Sequence, residues 1–152
     1  MARLPGAVLF ACTMNAIRSP MAEAMLKHLH GNRIYVQSVG VRQGELDPFV
    51  VEVMDEIGID VTRHKPKTFA DMEDEDEETE SFDLVISLSP EAHHHAIEMT
   101  RNAAVEVEFW NTFDPSVVQG SREQILDAYR AVRDELFRKI RARFPRDPAP
   151  PG

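Results

Sequence analysis

The sequence contains one cysteine, Cys12, among its 152 residues. One thiol excludes an internal disulfide and any metal site built on paired thiolates, and it suits a reducing compartment. Long apolar runs are also absent: nothing approaches the ~20 residues that span a bilayer. The apolar stretch after Met1-Ala2-Arg3-Leu4-Pro5-Gly6 is too short for a secretory core and is followed by no cleavage site. A cytoplasmic protein without membrane contact is the expectation. Internal repeats are missing, and so is a basic patch. The net charge is −9, yet eight of the 26 acids fall in residues 71–80, DMEDEDEETE. Outside that run 18 acids face 17 bases, so the body of the chain is close to neutral. No nucleic-acid footprint is present.

What remains has the size and composition of one globular domain. Residues 1–144 are expected to form it, and 145–152, PRDPAPPG, to be a disordered tail. Ala7-Val8-Leu9-Phe10-Ala11 is a continuous apolar run, as a strand buried on both faces requires. Ile34-Tyr35-Val36 and Asp83 to Leu88 read alike, while Val105 to Phe109 alternates like a half-exposed edge strand. Helix starts lie between them. Ser19-Pro20, Asp47-Pro48 and Ser89-Pro90 each place a capping residue before a proline, and Ser121 with Gln124 forms a capping box. After Pro48 the residues Phe49, Val50, Val53, Met54 and Ile57 recur at helical spacing, and Gly58 offers a stop.

Strand and helix thus alternate four times. That order predicts an α/β three-layer sandwich, a four-stranded parallel sheet with helices on both faces and right-handed crossovers. Such sheets bind ligands beyond the carboxyl ends of their strands. The acidic run 71–80 reads as a solvated surface loop. His93-His94-His95 reads as a solvated helix face, because successive helical residues diverge by about 100° and cannot converge on a metal. Arg130, Arg133, Arg138, Lys139, Arg141 and Arg143 read as the exposed face of a long last helix.

The chemistry gathers at the first strand-to-helix turn, Cys12-Thr13-Met14-Asn15-Ala16-Ile17-Arg18-Ser19-Pro20. A lone cysteine beside an apolar strand is ordinarily a small buried hydrophobe. Here it ends strand one, and an arginine follows six residues later as a helix begins. The five residues between can curl so that their N–H groups converge, adding to the helix N-terminus. Such a concave nest binds a tetrahedral dianion and favours a thiolate at Cys12. Arg18 adds a planar guanidinium that grips two phosphate oxygens together.

This stretch resembles the C-x5-R-S-P signature of the low-molecular-weight protein tyrosine phosphatases and their thioredoxin-coupled arsenate reductase cousins. The likeness extends along nearly the whole chain through Ser38-Val39-Gly40, Gly58-Ile59-Asp60-Val61, His64, Asp83-Leu84-Val85-Ile86 and Asp114-Pro115. The resemblance implies that Cys12 is the nucleophile and becomes a phosphocysteine. Arg18 would hold the equatorial oxygens, with Thr13, Met14, Asn15, Ala16 and Ile17 supplying backbone donors. Asp114 would be the general acid and then the base. Asn15 would brace the loop, and Ser19 would hydrogen-bond the Cys12 sulfur. No metal or cofactor is implied. Asp47, in the chain's other Asp-Pro pair before a helix, is given a capping role only.

The departures from the family pattern are specific. Met14 stands where the family often has glycine, and Ile17 where it often has a second cysteine, the partner for a protective disulfide. Ser116 replaces the tyrosine that often follows Asp-Pro, so an aromatic wall is not evident, although Trp110 and Phe113 lie near in sequence. Ala16 matches neither the isoleucine of tyrosine phosphatases nor the threonine of arginine phosphatases. The expected activity is phosphate-monoester hydrolysis on a phosphorylated protein or small aryl phosphate, with phosphotyrosine and phosphoarginine both open. Arsenate reduction is the first alternative. Ser89 and Ala96 occupy the places of the cousins' relay cysteines, so only an external thiol could serve it. The second alternative is a catalytically weak phosphate-binding module. Oligomeric state is left open by the sequence.

Overall fold

The computed structural model describes residues 4–146, so most of the expected tail lies outside the described residues. Four strands, β1 (Ala7–Cys12), β2 (Tyr35–Gly40), β3 (Leu84–Ser87) and β4 (Glu106–Phe109), form one parallel sheet in the order β2-β1-β3-β4. Five helices connect and follow them: α1 (Arg18–His30), α2 (Pro48–Asp55), α3 (Phe69–Asp74), α4 (Pro90–Met99) and α5 (Arg122–Arg143). Side-chain alternation along β1 explains the layers. Val8, Phe10 and Cys12 join a core with Met21, Met25, Met54, Tyr129 and Leu136, which places α1, α2 and α5 on one face. Leu9 and Ala11 join Phe69, Met72, Ala92 and Ala96, which places α3 and α4 on the other. The three-layer α/β sandwich expected from the sequence is the observed one. Each fully buried Phe, Leu or Met in these layers contributes roughly 1.5–3 kcal/mol of apolar burial.

The chain leaves β1 toward β2 on one side, and β3 lies on the other. The carboxyl end of β1 is therefore the point where strand order reverses, which in open α/β sheets is the ligand crevice. Asp47 accepts from the Phe49 N–H at 2.8 Å, Ser89 from the Ala92 N–H at 3.2 Å, and Ser121 and Gln124 form their reciprocal box. Gly58 follows α2 with φ 77°, a conformation that favours glycine.

Several expectations need correction. Ser19 caps nothing: α1 begins at Arg18, and Ile17 at the N-cap offers no side-chain acceptor. Its hydroxyl is engaged elsewhere, as described below. The acidic run is not simply a solvated loop. Its first four residues, Asp71 to Asp74, belong to α3, which a Thr68–Asp71 capping box opens and whose Phe69 and Met72, three residues apart, are buried against the sheet. Among the three histidines only His94 is exposed. His93 stacks on Phe109 at 4.6 Å and shares a 2.8 Å hydrogen bond with Ser87, while His95 lies 4.5 Å from the Phe69 ring. On α5, Arg133 is 8% exposed and donates to the Val53 carbonyl and to Glu56. Arg130 also clamps Glu56, so these two arginines tie α5 to the end of α2. Together they hold the Glu56 carboxyl well below the usual range, at about 2.

Among the described residues no helix is long and apolar enough to cross a membrane.

Candidate active site

Residues 13–17 connect β1 to α1 without regular structure, and their hydrogen bonds run one way. Three of the five carbonyls are taken. Thr13 O accepts from the Val41 and Arg42 N–H groups at 2.9 Å each, Ala16 O from Asp47 N–H at 3.1 Å, and Ile17 O from Met21 N–H at 3.2 Å. The N–H groups of Thr13, Met14, Asn15, Ala16 and Ile17 have no acceptor among the described residues. A run of successive backbone donors left unpaired is the arrangement that captures an oxyanion. Cys12 stands at the start of the run and Arg18 at its end. Both line a cavity of about 260 Å³ with Thr13, Met14, Ala16, Ile17, Gly44, Glu45, Asp114 and Ser116.

Asn15 is not among the lining residues; it is fully buried behind the loop. Its φ of 55° lies in the left-handed region, where asparagine is among the few tolerated side chains. The backbone N–H of Lys67 points at one side-chain atom at 3.0 Å, which identifies that atom as Oδ1. The His64 Nε2 lies 3.0 Å from the same oxygen and must therefore carry the proton. The amide nitrogen donates to Ser19 Oγ at 2.8 Å and to Ser38 Oγ at 2.9 Å. Asn15 thus joins the 13–17 loop to α1, to β2 and to the segment 64–67.

Proton counting then orients the hydroxyls. Ser38 accepts from Asn15 and donates to Glu23, itself nearly buried and paired with Lys27. Ser19 accepts from Asn15, so its single proton is free for the Cys12 sulfur at 2.9 Å, a better geometry than the Val39 carbonyl at 3.4 Å. The His64 Nδ1 is 3.7 Å from Glu23, too far for a hydrogen bond. Burial pushes the imidazole below the ordinary histidine range, against the opposing pull of Glu23.

Two glycines let the neighbouring loop approach. A Cβ on Gly40 would lie 2.7 Å from Asn15 N, and one on Gly44 would lie 2.7 Å from Met14 O. On the opposite side, Arg18 is 9% exposed and donates from Nη1 to the Thr112 carbonyl at 3.1 Å, leaving further N–H groups on its fork. Thr112 precedes the segment that brings Asp114 to the cavity. The Oδ1 of Asp114 accepts from Ser116 N–H at 2.9 Å and Ser116 Oγ at 2.7 Å, which fixes the carboxyl in a turn of 3-10 helix at Pro115–Val117. Asp47 is excluded from comparable work: one oxygen caps α2, the other accepts from Tyr129 OH at 2.7 Å, and it does not line the cavity.

The sequence profile of the family described as low molecular weight phosphotyrosine protein phosphatase matches residues 7–147. The chain belongs to that family. It is a family of cysteine-dependent phosphatases, and the position of Cys12 and Arg18 around the unpaired N–H groups is consistent with membership. Among characterised relatives, the arsenate reductase of Bacillus subtilis (strain 168) is 33% identical over 134 residues, covering 88% of this chain and 91% of the relative. The YwlE arginine phosphatase, in a mutant structure with a phosphorylated active-site serine, is 26% identical with a TM-score of 0.70, covering 89% of this chain and 91% of that one. The Erwinia amylovora tyrosine phosphatase AmsI superposes with a TM-score of 0.74 over 92% of this chain and 91% of its own, at 20% identity, a likeness of fold alone.

Several contributors were not legible beforehand. Neither Glu45 nor Gly44 belongs to a motif; they reach the cavity because the 41–47 segment is bonded to the 13–17 loop. Thr112 acts through its backbone carbonyl, which no side-chain pattern reveals. Trp110 and Phe113 lie near in sequence but do not line the cavity: Trp110 packs 6.3 Å from Phe10, and Phe113 is exposed. Ser89, in the place of a relay cysteine, accepts a hydrogen bond from Thr13 Oγ1 at 3.1 Å and so abuts the loop.

Proposed function

We propose that this protein hydrolyses phosphate monoesters through a phosphocysteine, as a protein tyrosine phosphatase of the low-molecular-weight type. The observation that carries the reading is the run of five backbone N–H groups without acceptors between Cys12 and Arg18, at the wall of a cavity that also holds Asp114. Phosphoryl transfer depends mostly on positioning and on stabilising charge over the equatorial oxygens, which is what such donors and a guanidinium supply.

In the first step the Cys12 thiolate attacks phosphorus, the phosphorus–oxygen bond to the leaving group breaks, and Asp114 gives its proton to the departing oxygen. In the second step a water attacks phosphorus and passes its proton to Asp114. The phosphorus–sulfur bond then breaks and the thiolate is restored, with Ser19 donating to the leaving sulfur. Arg18, already held by Thr112, keeps the phosphoryl group aligned in both steps. No electrons are exchanged, so the single cysteine is sufficient. The arsenate reductases among the relatives favour a second reading, reduction of arsenate. With Ser89 and Ala96 both free of sulfur, that chemistry would require an external thiol to reduce an arsenylated Cys12.

The test is a turnover screen over phosphotyrosine, phosphoserine and phosphoarginine peptides and a nitrophenyl phosphate, with arsenate plus glutathione in parallel. Phosphate release from the first group, with a ³²P-labelled cysteine adduct after rapid quench of a ³²P-labelled substrate, is expected. Cys12→Ser should abolish turnover and keep vanadate binding, because the backbone donors remain. Thiol oxidation that depends on arsenate, without ester hydrolysis, would replace this reading with the second. Phosphate binding without turnover of either kind would reduce the protein to a binding module.

A further inference from the structure

We infer that Glu45 is a specificity-determining residue, selecting substrates that carry a positive charge next to the phosphoryl group. This rests on the phosphatase reading and narrows its substrate class. Beyond the catalytic parts, the cavity is lined by one further ionisable residue, Glu45. Glu45 is exposed and forms no ion pair among the described residues. A carboxylate beside a site for a dianion weakens binding of a bare phosphate ester, and the wall carries no cation other than Arg18 to offset it. The nearest arginine on the same segment, Arg42, is already paired with Glu91.

The placement is not that of a loose loop. The segment bearing Glu45 is bonded to the phosphate loop on both sides, by Val41 and Arg42 N–H to Thr13 O and by Asp47 N–H to Ala16 O. Between these bonds Gly44 lies against Met14 so closely that a Cβ would reach 2.7 Å from its carbonyl oxygen. Asp47 is fixed in turn by Tyr129. Glu45 is therefore held at the rim of the same cavity as Cys12, and the small residues Ala16, Gly44 and Ser116 leave width beside it for a planar group. A carboxylate held there attracts a cation on the far side of the phosphorus. That cation can be the guanidinium of a phosphoarginine itself, or the side chain of a lysine or arginine flanking a phosphotyrosine. The chemistry is shared, and the test separates the sources.

The experiment measures kcat/KM at low salt for wild type, Glu45→Gln and Glu45→Lys. The substrates are one phosphotyrosine peptide with lysine flanks, the same peptide with glutamate flanks, and phosphotyrosine and phosphoarginine peptides with neutral flanks. Wild type is expected to favour lysine flanks or phosphoarginine by roughly 3–10-fold, the scale of a partly exposed ion pair, with the preference shrinking at about 0.5 M salt. Glu45→Gln should bring the sensitive ratio toward one, and Glu45→Lys should invert it. Movement of the flank ratio assigns the cation to the neighbouring residue; movement of the phosphoarginine-to-phosphotyrosine ratio assigns it to the guanidinium. If Glu45→Lys leaves both ratios within about twofold of wild type, the inference is wrong although the enzyme is a phosphatase. If wild type turns over none of the peptides, the phosphatase reading itself falls, and this inference with it.

Discussion

Replacing Asn15 by alanine is expected to destabilise the protein by about 3–4 kcal/mol, and the structure shows where that sum arises. The substitution removes one acceptor shared by two donors, the Lys67 N–H and the His64 Nε2–H. Each donor left without a partner in a half-buried site costs about 1 kcal/mol, the lower end of the usual penalty. Ser19 and Ser38 lose the amide that donates to them, but each hydroxyl keeps another partner, so these losses come to about 0.5 kcal/mol apiece. Alanine at φ 55° adds about 1 kcal/mol of left-handed strain. Glycine in the same place loses the same hydrogen bonds without the strain, so Asn15→Gly should be the more stable of the two by up to about 1 kcal/mol. Urea unfolding followed by circular dichroism measures this directly. With a slope of about 2 kcal/mol/M, the alanine variant should unfold at roughly 1.5–2 M lower urea. Turnover should fall as well, because Asn15 holds both the loop and the serine that faces Cys12. An alanine variant within about 1 kcal/mol of wild type would refute the account of Asn15 as the shared brace. A glycine variant less stable than the alanine one would refute the strain contribution.

Asp114→Asn should keep its turn, since the amide oxygen can still accept from Ser116, while slowing alkyl and phenyl esters by roughly 10²–10⁴-fold. The deficit should be smaller for nitrophenyl phosphate, whose leaving group scarcely needs a proton; equal losses on both would remove Asp114 from acid catalysis. Peroxide should inactivate the protein with little recovery, because Ile17 holds the loop position where a second thiol could have trapped the Cys12 sulfenic acid. Intact-mass measurement should show sulfinic acid at Cys12, and full rescue by a reductant after excess peroxide would contradict this. Acid should weaken the fold in two stages. The folded state holds His64 below its unfolded pKa, so the unfolded chain binds the extra proton first and stability falls as the pH drops below about 6.5. Glu56, held at about 2, contributes stability above its unfolded pKa that is lost as the pH falls from about 4.5 toward 2. Glu56→Gln should erase the lower stage in melting temperatures recorded against pH and cost about 1–2 kcal/mol near neutrality, a figure reduced for the carboxyl's partial exposure; an unchanged profile would show that the arginine clamp contributes nothing.

The sequence by itself determined the parts of this protein that depend on local periodicity and on fixed short spacings. The apolar run at Ala7–Ala11, the caps at Asp47, Ser89 and Ser121, and the alternation of strands and helices were enough for the parallel three-layer fold, because each is a property of neighbouring residues. Cys12 and Arg18 were legible for the same reason: five intervening residues and a helix start define the geometry locally. Tertiary structure decided everything that depends on which distant segments meet. Ser19 looked like a cap, yet its hydroxyl lies between Asn15 and Cys12, a choice made by the left-handed turn at Asn15 and by Ser38 reaching in from β2. The acidic run looked solvated because its charge masks the buried Met72, which packs beside Phe69 only once the sheet exists. His93 and His95 found aromatic partners on β4 and α3 that no local pattern announces. Glu45 is invisible in any motif: it reaches the rim because two glycines allow backbone to lie against backbone and because three N–H groups of the 41–47 segment bond to the carbonyls of Thr13 and Ala16. The loop's own N–H groups have no acceptor among the described residues, and that pattern of long-range pairing, more than the residue types in the loop, decides which of its backbone groups are left free at the cavity.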